Sequence, residues 1–169
     1  MNFAGLGLLV LIAACIPPET DEVAGDNAVE ALGDRPSTPL PSPDTEGAIW
    51  ATGGKNDTLV YGIPGQPPLL ALICHPRKQL DIVRYARADR GAKALMAVLG
   101  NKGNARLPVD AVANGRTSLW RGRFSLDRRE LDVLSSTGTI EVMVPGAGSL
   151  ILDGSDSPGE FLIACRAPA

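Results

Sequence analysis

Histidine is almost missing from this chain of 169 residues: the single one is His75. It follows Cys74, but neighbouring residues of a strand point to opposite faces, so the two do not make a nucleophile pair. His75 reads instead as a turn residue ahead of Pro76, which leaves no base for a serine triad. A zinc site needs about four nitrogen or sulfur ligands at ordered spacing, and that pattern is missing too. Aromatic residues are few, five beyond Trp50, and no stacking motif is present, which argues against nucleic acid as a partner. Gly53-Gly54-Lys55-Asn56 and Gly100-Asn101-Lys102-Gly103 contain glycine and lysine without the spacing or the Ser/Thr of a phosphate-binding loop. Asp153-Gly154-Ser155-Asp156 lacks the spaced acids and closing glutamate of a calcium loop. All three read as turns, and no cofactor, metal or catalytic residue is assigned. Paired carboxylates stay open, because such pairing is spatial and leaves no mark in the sequence.

Charge is divided unevenly along the chain. Residues 16–47 hold eight acids and one base, Arg35, whereas residues 48–169 hold 11 acids and 15 bases. An acidic spacer therefore precedes a mildly basic domain. The spacer has six prolines, no aromatics and no sustained apolar period, so it cannot bury enough surface to offset the entropy of ordering. Arg35 to Pro43 favours extended, polyproline-type backbone. The expectation is a disordered tether over residues 15–47, spanning about 30 Å as a coil, and an ordered domain over 48–169.

The apolar run from Phe3 to Ala14 is shorter than the roughly 20 residues of a permanent transmembrane helix and ends in small residues, as a signal-peptide core does. Ile12-Ala13-Ala14-Cys15 resembles the lipobox of bacterial prolipoproteins, in which an aliphatic residue and two small residues precede a cysteine. The resemblance implies removal of residues 1–14 as a signal peptide, acylation of Cys15 and attachment to a membrane through that lipid. Residue 16 is Ile rather than Asp, which in such lipoproteins implies the outer membrane rather than the inner.

With Cys15 committed to lipid, Cys74 and Cys165 remain. Export places them in an oxidising compartment, so a Cys74–Cys165 disulfide is the economical reading, with two buried free thiols as the alternative.

The domain carries mostly strand signals. Thr58–Ile63, Leu69–Cys74, Gln79–Ala86, Ala94–Leu99 and Ala105–Ala113 are rich in β-formers and bounded by turn residues. Asn114-Gly115 supplies a hairpin turn of type I′. In Ser118–Leu126, Trp120, Phe124 and Leu126 share one face while Arg121, Arg123 and Ser125 share the other, a pattern of one buried and one wet face. Asp127 with Glu130 three residues on reads as a capping box opening a short helix. Ile140, Val142 and Val144 alternate, and Leu150–Leu152 returns after Pro145-Gly146. Ser157-Pro158-Gly159-Glu160 reads as N-cap, first-turn proline and glutamate at the third position, opening a last helix, with a strand as the alternative. The expected fold is mainly β, a small antiparallel sandwich or barrel with one or two short helices. The order of elements over residues 127–166 loosely resembles the small exported β-sandwich proteins of the invasion-associated locus B type, a resemblance of pattern that carries no functional residues.

The remaining candidates are basic. Arg84, Arg87, Arg90 and Lys93 cluster in sequence, and Arg121, Arg123, Arg128 and Arg129 form a second group. Arg84, Arg87, Arg121 and Arg123 make a candidate surface for an anionic partner, such as lipid phosphates, a cell-wall component or an acidic envelope protein. A plain solvated face is the alternative. The function expected is that of a non-enzymatic, membrane-anchored envelope lipoprotein with a binding or structural role. The alternatives are a periplasmic hydrolase with unidentified acidic residues and an exported lysozyme-type inhibitor.

Overall fold

The computed structural model describes residues 38–54 and 57–167. The expected signal peptide, Cys15 and most of the expected tether lie outside the described residues.

Nine strands form one antiparallel sheet curled into a half-barrel, in the order β1-β2-β3-β4-β7-β6-β5-β8-β9. They are β1 (Ile49–Thr52), β2 (Thr58–Gly62), β3 (Leu70–His75), β4 (Gln79–Ala88), β5 (Lys93–Gly100), β6 (Gly103–Asn114), β7 (Thr117–Ser125), β8 (Ile140–Met143) and β9 (Ser149–Leu152). A 3₁₀ segment (Arg129–Ser135) links β7 to β8, and helix α1 (Ser157–Arg166) closes the chain. The expectation of a mainly β antiparallel fold with two short helices is met. Only β1 escaped the sequence reading: Ile49–Thr52 is short and mostly exposed, with no alternation of apolar residues to mark it.

Alternation sorts the two faces. Ala105, Leu107 and Val109 of β6 point inward while Arg106, Pro108 and Asp110 point out. Met96 and Val98, Ile140 and Val142, and Leu150 and Leu152 continue the inner face. Leu131, Val133 and Leu134 of the 3₁₀ segment and Leu162 of α1 complete this core. The curl brings the two flanks of the sheet together: the Asp153 N–H donates to the hydroxyl of Tyr61, which is fully buried in β2, at 3.2 Å. Trp50 stacks at a tilt on the same ring, 5.1 Å between centroids.

Pro108 would break a central ladder, but here β6 is paired with β5 alone, since its pairing with β7 covers only Asp110–Asn114. Below Asp110 the two strands part, and Gly122 of β7 sits in the gap. A Cβ there would meet the Phe124 ring and the Pro108 carbonyl oxygen, the latter at 2.7 Å.

Turn chemistry departs from expectation in three places. Asn114 pairs with Thr117, so the turn residues are Gly115 and Arg116. Gly115 takes φ +61 while Arg116 keeps a negative φ, the pattern of a II′ turn with Gly first rather than I′. Asp127 does not cap a helix; the segment begins after Arg128 with no side-chain cap and is a 3₁₀ turn. The last segment is a helix, but Asp156, not Ser157, stands at its N-cap.

Residues 38–47, the end of the expected tether, lie against the domain. The Leu40 N–H donates to Gly146 O at 2.9 Å, and the Ser149 N–H donates to Ser42 Oγ at 2.9 Å. Gly148, at φ +69, lets this strap pass close, since a Cβ would stand 2.7 Å from Pro41 O. Composition argued for disorder, but these bonds are made to turn backbone that composition does not reveal.

Cys74 and Cys165 are joined in a disulfide with Cα atoms 5.9 Å apart, within the usual span. It fastens α1 to β3. Arg166 reinforces the closure, with Nε donating to Leu126 O at 3.0 Å and Nη2 pairing with Asp132 at 2.8 Å.

Candidate functional site

The outward face of the sheet carries one buried carboxylate. Asp81 sits in β4, opposite Ile73 on one side and Arg123 on the other, and is 1% exposed. Directly opposed residues on adjacent strands are within reach of a long side chain. Arg123 accordingly closes on Asp81 with two bonds, Nε to Oδ1 at 2.6 Å and Nη2 to Oδ2 at 2.9 Å. His75, diagonal to Asp81 at the end of β3, brings Nε2 to Oδ2 at 3.0 Å. Arg121, two residues before Arg123 and on the same face, brings Nε to 3.9 Å from Oδ2.

The roles follow from charge. A carboxylate only accepts, so His75 Nε2 carries the proton of that bond and Nδ1 is left for another partner. Burial pushes the Asp81 carboxyl up. The hydrogen bonds from Arg123 and His75, together with their charges, outweigh burial and hold it below its ordinary value. The same bond and charge hold the Arg123 guanidinium above its own ordinary value. The cluster is a buried anion under a partly exposed cap of cations, with about half of the Arg123 side chain and two-fifths of Arg121 open to solvent. Two guanidiniums against one carboxylate leave a net positive site.

The β3–β4 turn positions this cap at a cost. Arg77 and Lys78 both adopt left-handed backbone, at φ 63 and 54, with no glycine to relieve it. The turn aligns His75 with Gln79, and the Lys78 carbonyl accepts from the Leu126 N–H at 2.8 Å. His75 is therefore the last residue of β3 and a partner of Asp81, not merely a turn residue ahead of Pro76.

Of the four candidate arginines, Arg121 and Arg123 lie together in this cluster. Arg84 does not belong to the surface. It is 2% exposed and points into the barrel, where Nη1 donates to Leu69 O at 3.0 Å and Nη2 to Ala147 O at 3.4 Å. Burial pushes its guanidinium down to about 10. The reason is parity: Asp81 and Arg84 are three residues apart on one strand and must face opposite ways. By the same parity Arg87, three residues beyond Arg84, is back on the outside, and the two extra residues at Tyr85 and Ala86, a bulge in the β4–β7 ladder, leave that parity unchanged. Arg87 lies on the exposed surface, away from the Asp81 cluster. Sequence reasoning passed over Asp81 altogether, although a lone carboxylate inside Gln79–Ala86, otherwise apolar but for Arg84, was a signal.

Among the described residues no three His, Cys, Asp or Glu side chains come together as metal ligands. No known family model matches the chain, and neither a curated protein nor a solved structure does.

Proposed function

We propose that the protein is a lipoprotein of the bacterial cell envelope, anchored through Cys15, whose β-domain is a non-enzymatic binding module for an anionic group on an envelope protein or wall component. Anchoring is supported by the sequence Ile12-Ala13-Ala14-Cys15, and residue 16 favours the outer membrane. Binding is supported by one observation above all: the buried Asp81 holds Arg123 in place beside Arg121, so that the two guanidiniums form a cationic patch with part of its ordering cost already met. A carboxylate or phosphate meeting that patch would gain charge-assisted bonds. A hydrolytic role fits less well. A general acid needs a carboxyl with a raised pKa, and the buried carboxyl here is held low.

Cross-linking in living cells followed by recovery of the tagged protein tests both parts. A specific partner retained by the native chain, lost by Arg121→Glu/Arg123→Glu and weakened by Cys15→Ala, is the expected result. Recovery of the same partner by the double variant would sink the assignment of the site. Mass spectrometry of detergent-extracted protein showing residues 1–14 in place or an unmodified Cys15 would sink the anchor.

A further inference from the structure

A second basic feature lies at one end of the barrel, away from the Asp81 cluster. Arg87 at the end of β4, Arg90 in the β4–β5 turn and Arg116 in the β6–β7 turn line one cleft of about 580 Å³. Its remaining walls are small side chains such as Ala111, Ala113 and Thr117, with one carboxylate, Asp89. None of the three arginines takes part in an ion pair among the described residues. The cleft has no aromatic plate and no deep apolar slot, so whatever binds there is held by charge. Two of its donors, Arg90 and Arg116, stand on turns, and Arg87 is next to the last residue of β4 beside them.

The described chain comes in at this same end. Leu40 is bonded to Gly146, and Gly146 together with Arg87 lines the adjoining cleft beside Trp120 and Lys93. The segment leading to the N-terminal side therefore joins the domain at the end that carries Arg87, Arg90 and Arg116.

We propose that this end of the barrel binds the phosphate groups of an anionic lipid bilayer, laying the domain against the membrane with the Asp81 face directed sideways. The choice of membrane rests on the anchoring reading above; the binding itself does not require the anchor. Basic side chains within reach of an anionic leaflet each strengthen binding about fivefold, so three together are worth on the order of a hundredfold, and the effect fades as salt screens it.

The test uses the full chain carrying Cys15→Ser, which has no acyl group, in flotation with phosphatidylcholine vesicles and with vesicles in which part of that lipid is replaced by phosphatidylglycerol. Neutral vesicles register any affinity of the apolar N-terminal run, so the difference between the two reports charge. Binding that favours phosphatidylglycerol, weakens with salt and falls to the neutral level in Arg87→Glu/Arg90→Glu/Arg116→Glu is the expected result. The triple variant must keep the circular dichroism spectrum and unfolding midpoint of the parent, and Arg106→Glu, on the exposed face of β6 and in neither basic site, must bind like the parent. Equal binding to both vesicles, or the same loss in Arg106→Glu as in the triple variant, overturns the proposal. So does sub-millimolar binding of inorganic phosphate alone, which would make the cleft a site for a small soluble anion. Anchoring is read separately at residue 15, so either idea can fail alone.

Discussion

Asp81 and Arg123 face each other across the β4–β7 ladder, and the guanidinium closes over a carboxylate that is only 1% exposed. The carboxyl is held below its ordinary value near 3.8, so it binds fewer protons folded than unfolded at acid pH. Its contribution to stability is complete above that ordinary value and is lost as pH falls through the depressed one. Acid unfolding followed by circular dichroism should therefore steepen below about pH 4, and Asp81→Asn should remove that added steepness. An unchanged acid limb in Asp81→Asn would mean the pair contributes nothing. Arg123→Ala should lower the urea midpoint at neutral pH, because it leaves the carboxylate with weaker partners.

The disulfide closes a loop of 91 residues between β3 and α1. Replacing both Cys74 and Cys165 by Ser should cost about 2–5 kcal/mol. Protection of α1 amides against hydrogen exchange should fall before that of β4 and β7, since the bridge and Arg166 are what fasten the helix. Uniform loss of protection across the domain would contradict that order.

At Gly122 an added methyl meets the Phe124 ring and Pro108 O at once. One of these neighbours is backbone and cannot swing away. Gly122→Ala should lower stability by about 1–3 kcal/mol, visible as a lower urea midpoint at unchanged slope. A neutral result would show that β6 and β7 can part further without penalty.

Lys78 is strained and Gly is the residue that relieves such strain. Lys78→Gly should raise stability by about 0.5–1 kcal/mol after its own entropic cost in the unfolded chain. Destabilisation instead would mean that the Lys78 side chain, rather than its backbone, supports the β3–β4 turn.

Strands β2 to β9 were legible because each announces itself locally, by alternation or by a β-rich run ending at a turn. Trp120, Phe124 and Leu126 set the inner face of β7 by period alone, and the structure buries all three. The capping box at Asp127 misled because tertiary burial of Leu131, Val133 and Leu134 is met by a 3₁₀ turn as well as by a longer helix. Arg84 misled because closeness in sequence to Arg87 is not closeness on a surface: three residues apart on one strand, the two face opposite ways.

The sequence by itself determined the class of fold and the inner and outer faces of most strands, since periodicity acts over short range, and it offered Cys74 and Cys165 as the economical disulfide with free thiols as the alternative. Only the tertiary structure decided that β4 pairs with β7, because that neighbour is chosen by the curl of the whole sheet. From that pairing comes the meeting of Asp81 with Arg123, while His75 reaches Asp81 across the local β3–β4 hairpin. The exile of Arg84 to the interior is set by strand parity, which the sequence carried but could not tie to a face until the core was assembled.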